Sequence, residues 1–121
     1  ATFDAAVKRW FTTEHVATGA GPALVRAWRE QVDDESYAQT SWVLAHGVRE
    51  LIAPDVAIVA PTLVMTCEND VGSTPQMSRD IAAEIAGAEV VIVPMYKHLG
   101  LLEDVGAYSS LILAFLRKVD C

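Results

Sequence analysis

Cysteine is scarce, with only Cys67 and Cys121 in 121 residues. Two such thiols make neither a disulfide framework nor the paired spacing of a zinc site. A reducing, cytoplasmic setting is therefore expected, and no metal is. Basic residues are also few, nine against sixteen Asp and Glu, giving a formal charge of −7. The nine are scattered. Phosphate neutralisation needs clustered cations, so nucleic acid is excluded as a partner. Long apolar runs are missing too. The longest stretch, "LIAPDVAIVAPTLVM", is interrupted by Pro54, Asp55 and Pro61, which excludes a membrane span. Residues 1 to 10 mix charged with apolar groups, unlike a secretory signal. No internal repeat or low-complexity segment occurs.

What remains is a chain of a length that suits one small domain. Its hydrophobic share is 52% and its mean hydropathy +0.28. Both are high for a solvated domain of this size, so part of the apolar surface is expected to meet a partner. Ala1 is not an initiator methionine, and a piece of a longer chain is expected.

The chain changes character near its middle. Residues 1–53 read as helices only. "FDAAVKRWF" sets Phe3, Ala6, Val7, Trp10 and Phe11 on one face. "GPALVRAWREQV" has Pro22 near a first turn, and "DESYAQTSWVLAHG" opens on acids and closes on Gly47. Three helices forming a small layer are expected. Residues 54–121 contain "PTLVMT" and "AEVVIVP", short and apolar on successive residues, as in strands of a parallel sheet buried on both faces. Between them "STPQMSRDIAAEIAG" reads as a helix capped by Thr74, with Pro75 in its first turn and Gly87 after its last. A final helix, "AYSSLILAFLRKV", carries Leu111, Ala114 and Phe115 at helical spacing. The fold class is α/β, a helical segment followed by a β-α-β-α unit that is incomplete as a sheet.

Chemistry in open α/β sheets sits beyond the carboxyl ends of the strands. Asp70 follows one such end and His98 the other. A carboxylate and an imidazole on adjacent parallel strands can hydrogen-bond, fixing the imidazole tautomer and stabilising the imidazolium when histidine acts as a base. Asp70 read alone is more readily a turn former than a catalytic acid, and His98 alone a loop residue. Their pairing carries the inference. Glu68 and Glu103 read as structural, and His15 and His46 as surface or cap residues. Trp10, Trp28 and Trp42 are more readily packing groups than substrate contacts.

The segments "APTLVMTCENDVGSTP", "IAAEIAGAEVVIVP" and "HLGLLE" followed by a helix ending "FL" resemble the α/β-hydrolases, within them the enol-lactonase and haloperoxidase-like esterases. The preceding helices, with "RWF" near their start, resemble the cap inserted before the last two sheet strands. The resemblance covers nearly the whole chain and is most specific over residues 60–116. It implies that Asp70 is the catalytic acid and His98 the catalytic base of a Ser-Asp-His triad hydrolysing small esters or lactones without a cofactor. It also implies that Trp10 and Leu99 line the substrate pocket. At Cys67 the family usually has glycine.

One departure dominates. None of Ser36, Ser41, Ser73, Ser78, Ser109 and Ser110 lies in a Gly-x-Ser-x-Gly elbow, and the oxyanion-hole segment is missing with it. Two apolar parallel strands are not stable as a free pair either. The expected partner is a complementary N-terminal segment carrying the nucleophile, or further copies of this chain. The alternative is a non-catalytic binding subunit or degenerate relative in which Asp70 and His98 are relics. A freestanding flavodoxin-like domain fits less well, since it needs more strands and a phosphate-cradling loop.

Overall fold

The computed structural model describes residues 3–47 and 56–119, so the boundary expected between residues 53 and 54 lies outside the described residues. The N-terminal part is helical: α1 (Phe3–Trp10), α2 (Thr13–Thr18), α3 (Ala20–Glu30) and α4 (Asp34–His46). Then follow β1 (Leu63–Cys67), α5 (Pro75–Ala83), β2 (Glu89–Val93), α6 (Gly100–Glu103) and α7 (Val105–Val119).

α1 buries the face its spacing predicts: Ala6, Val7 and, one residue past the helix, Phe11, which is 0% exposed. The three helices expected from the sequence are four, because α2 intervenes. Thr12 starts it from an extended conformation, accepting the His15 N–H at 3.3 Å. Gly19 ends it at φ +74°, a left-handed backbone that favours glycine. Six residues are too few to show a helical period. Gly21 then lets α3 lie against the stacked Phe11 and His15 rings, since a Cβ there would come within 2.5 Å of His15 Nε2.

α4 is capped as its sequence suggests, with Asp33 accepting the Ser36 N–H at 2.9 Å, yet none of its residues is buried. α1, α2 and α3 pack on one another, while every residue of α4 is exposed.

β1 and β2 pair in parallel, with Leu63 opposite Glu89 and Cys67 opposite Val93. The crossover helix α5 begins where expected: Thr74 accepts the Met77 N–H at 3.3 Å and Pro75 occupies the first turn. Asp104 starts α7, its Oδ1 accepting the Ala107 N–H at 2.9 Å. Cys67, Val93 and Tyr108 form the buried centre, with Met65, Val91, Tyr96 and Leu111 around it. This core is small, and Val90, Ile112, Leu113 and Leu116 are left exposed.

The closest backbone approach in this core is at Gly100. A Cβ there would sit 2.6 Å from both Cys67 Sγ and Tyr96 Cβ, and Cys67 is 2% exposed with no room to yield. Gly100→Ala is accordingly expected to cost about 1–3 kcal/mol by overpacking. Gly106→Ala, whose nearest neighbour would be Asp104 Oδ1 at 3.6 Å, is the control and should match or exceed the parent. Thermal unfolding followed by circular dichroism would show it, and equal midpoints for the two variants would refute the packing account.

Candidate active site

The turn after β1 is built by its own side chains. The Asp70 N–H reaches back to the Cys67 carbonyl at 3.2 Å, and Asp70 Oδ1 accepts the N–H groups of Gly72 and Ser73 at 2.8 and 2.9 Å. This fixes the carboxylate and leaves its second oxygen for a partner. That partner is His98, whose Nδ1 lies 2.8 Å from Asp70 Oδ2. The Asp70 side chain is 4% exposed and that of His98 41%. No hydrogen bond engages His98 Nε2 among the described residues, and the ring lines an open cleft.

The loop after β2 is aimed by residues 68 and 69. The Glu68 N–H donates to the Val93 carbonyl at 2.8 Å and the Asn69 N–H to the Tyr96 carbonyl at 3.0 Å. Met95 adopts φ +70°, an uncommon conformation for a residue with a side chain. It is clamped there, its N–H donating to Glu68 Oε2 at 3.0 Å and its carbonyl accepting from Asn69 Nδ2 at 2.9 Å. The "EN" of the β1 turn thus shapes the loop that presents His98. Glu103 is also structural, both of its oxygens accepting from Thr12.

Burial by itself pushes the Asp70 carboxyl up. The Ser73 N–H, the His98 ring and the Gly72 N–H together outweigh it, holding the group below the usual carboxylate range. A folded-state value below the unfolded one means that folding gains stability above the ordinary carboxylate range. That gain is lost as pH falls through it toward the depressed value. Asp70→Asn should therefore flatten the acid side of the stability–pH curve, measured by urea unfolding at successive pH values. An unchanged slope would show that the Asp70 hydrogen bonds do not survive in solution.

The cleft beside the pair, about 190 Å³, is lined by Arg9, Trp10, Asp70, Val71, Gly72 and His98. A larger opening of about 650 Å³ lies in the helical layer, against Phe3, Trp10, Val25, Trp28 and Tyr37 among others, and shares Arg9 and Trp10 with the first. Of the four sequence candidates, Asp70, His98 and Trp10 meet at one cleft. Leu99 is half-buried beside it and is not part of its lining; its N–H donates to the Trp10 carbonyl at 2.8 Å. Trp28 borders only the larger opening, and Trp42 is exposed, stacked on His46.

Arg9 is the residue sequence reasoning passed over. It borders both openings and makes no ion pair among the described residues, and "RWF" was its only signal. Cys67 is enclosed in the core at 2% exposure, and burial pushes its thiol up more than the Tyr108 hydroxyl at 2.7 Å offsets, which disfavours a reactive thiolate there. Among the described residues no group of three or more His, Cys, Asp and Glu side chains could hold a metal ion, and no helix is long and apolar enough to cross a membrane.

No protein-family model and no curated protein matches the chain. A solved structure does: the enol-lactonase from Burkholderia xenovorans LB400, at 27% identity and a TM-score of 0.80. The match takes in 95% of this chain and 44% of that one, so the chain spans less than half the length of the enol-lactonase. The described architecture is part of an α/β-hydrolase fold, the superfamily that its sequence resembles.

Proposed function

We propose that this chain supplies the acid and the base of a serine hydrolase acting on small esters or lactones, and that the nucleophilic serine comes from a complementary segment. The observation that carries the reading is the bond between Asp70 Oδ2 and His98 Nδ1, with the other imidazole nitrogen free at an open cleft. The likeness to an enol-lactonase supports the reaction class. A buried ionised carboxylate that accepts the Nδ1–H leaves Nε2 unprotonated and able to take a proton.

In this mechanism the serine hydroxyl attacks the carbonyl carbon and passes its proton to His98 Nε2. Asp70 stabilises the imidazolium that results. His98 then gives the proton to the leaving oxygen, and a second cycle with water frees the acid. Trp10 and Val71 supply the apolar lining of the cleft that His98 borders. Arg9 adds a cation at the rim, which suits substrates that carry an acid group. Leu99 belongs to the pocket through the backbone that sets Trp10 rather than as a lining side chain. The setting is a reducing cytoplasm, and neither metal nor organic cofactor takes part.

The uncovered apolar residues of the sheet and α7 belong to the same proposal, since two strands need neighbours that the complementary segment or further copies would provide. The purified 121-residue chain is expected to show no turnover of an activated ester or a small enol lactone. In sedimentation it should run above monomer mass or with a complementary polypeptide. Adding the segment that carries Gly-x-Ser-x-Gly should restore hydrolysis, and His98→Ala should abolish it. Turnover by the chain alone, lost in His98→Ala, would demand another nucleophile. A completed assembly that binds a lactone without hydrolysing it would favour the non-catalytic reading.

A further inference from the structure

The residues around His98 are tied to the end of α1 by three rungs. Lys97 Nζ donates to the Lys8 carbonyl at 2.9 Å, and the Leu99 N–H to the Trp10 carbonyl at 2.8 Å. Glu103 Oε1 accepts the Thr12 N–H at 2.9 Å, and Oε2 accepts the Thr12 hydroxyl. The first two rungs use carbonyls at the C-terminal end of α1, which have no partner inside the helix. Residues 97 and 99 flank the histidine, and residues 8, 10 and 12 carry the helix end that bears Arg9 and Trp10. His98 therefore sits between two rungs, while its cleft wall hangs from the opposite rail.

Glu103 holds the far end of this ladder, and it does so with both oxygens. Thr12 is doubly committed: its hydroxyl donates to Glu103 and accepts the His15 N–H that opens α2. Fixing Thr12 fixes the residues just past α1, and with them the carbonyl that Leu99 uses. We infer that Glu103 is a positioning residue for His98, acting through Thr12 and the end of α1, so that the α1 wall and the imidazole move as one body. This rests on the reading of His98 as the base, but its structural half can be tested without turnover.

The test uses the protein in the assembly in which it purifies, labelled with 15N-histidine, and follows the His98 Nδ1–H resonance together with kcat. In Glu103→Ala the resonance should broaden or vanish through exchange with water. The completed enzyme should lose about 10- to 100-fold in kcat, the scale expected when a reacting group is displaced by about an ångström. Thr12→Ser keeps both donors and should retain wild-type values for both readouts. A Glu103→Ala protein that melts earlier, yet keeps the resonance and kcat within twofold of the parent below its melting point, would overturn the inference. Should Glu103→Ala not fold, Glu103→Gln and Lys97→Met each remove part of the ladder. A partial loss of the resonance in Glu103→Gln supports the inference, and an unmoved resonance there overturns it even if Lys97→Met, which cuts a different rung, loses it. If the wild-type assembly hydrolyses nothing, the hydrolase reading fails, while the resonance still decides the positioning role.

Discussion

Asp70→Asn in the completed enzyme is expected to lower kcat by about two to four orders of magnitude, the upper figure being that of the same substitution in the serine-protease triad. The expectation follows from the hydrogen bonds rather than from the loss of charge alone. Asparagine keeps an oxygen that can accept from Gly72 and Ser73, so the turn survives. Its amide nitrogen then faces His98 Nδ1, where the carboxylate oxygen stood at 2.8 Å. An N–H there requires Nδ1 to accept, which moves the ring proton to Nε2 and disables the base. Glu68→Gln is the matched control. It retains an oxygen for the Met95 N–H and should cost less than about tenfold, or 1.4 kcal/mol of barrier. Steady-state kinetics on both variants, with circular dichroism to establish equal folding, decides the assignment. A larger loss in Glu68→Gln would transfer the acid role away from Asp70.

Phe11→Ala is expected to cost about 3–5 kcal/mol, the range for deleting a buried aromatic side chain. Phe11 is 0% exposed and stacks on His15 with ring centroids 5.1 Å apart, and Gly21 on α3 is shaped around both rings. No other side chain of the helical layer is so fully enclosed. Against a total stability of about 5–15 kcal/mol for a typical domain, the loss should release α1 to α3. The sheet keeps its own centre in Cys67, Val93 and Tyr108, so the damage should be local. Hydrogen exchange should show faster exchange over residues 3–30 and little change in β1 and β2. Phe11→Leu should lose less, about 1–1.5 kcal/mol, by keeping most of the volume. Uniform acceleration across both regions would mean that helices and sheet unfold as one unit. Protection unchanged in α1 would refute the central role of Phe11.

The features legible in the sequence were those whose cause is local. β1 and β2 announced themselves as apolar runs without alternation, the pattern of strands meant for cover on both faces, although Val90 is left exposed in this two-stranded sheet. Thr74 and Pro75 marked the start of α5, since a cap and its helix lie within four residues. Asp70 and His98 were legible through strand topology, because residues just past the ends of two adjacent parallel strands share one edge of the sheet. The amphipathic face of α1 likewise follows from its 3.6-residue period. Short elements escaped: α2 and α6 span six and four residues, less than two turns, and a period cannot appear in so little chain.

Only the tertiary structure decided which of these local pieces meet. α4 reads as a well-capped helix and is one, yet it buries nothing, because burial depends on what lies opposite. Gly100 carries no sign in its neighbours that Cys67 and Tyr96 would crowd a side chain there. The Thr12–Glu103 clamp joins groups 91 positions apart, and Leu99 reaches Trp10 through backbone atoms that every residue type shares. Periods and caps act within about four residues, so they specify elements and their exposed or apolar faces. The partner of each face is chosen by packing and hydrogen-bond geometry between distant segments, and no side-chain pattern along the chain encodes that distance.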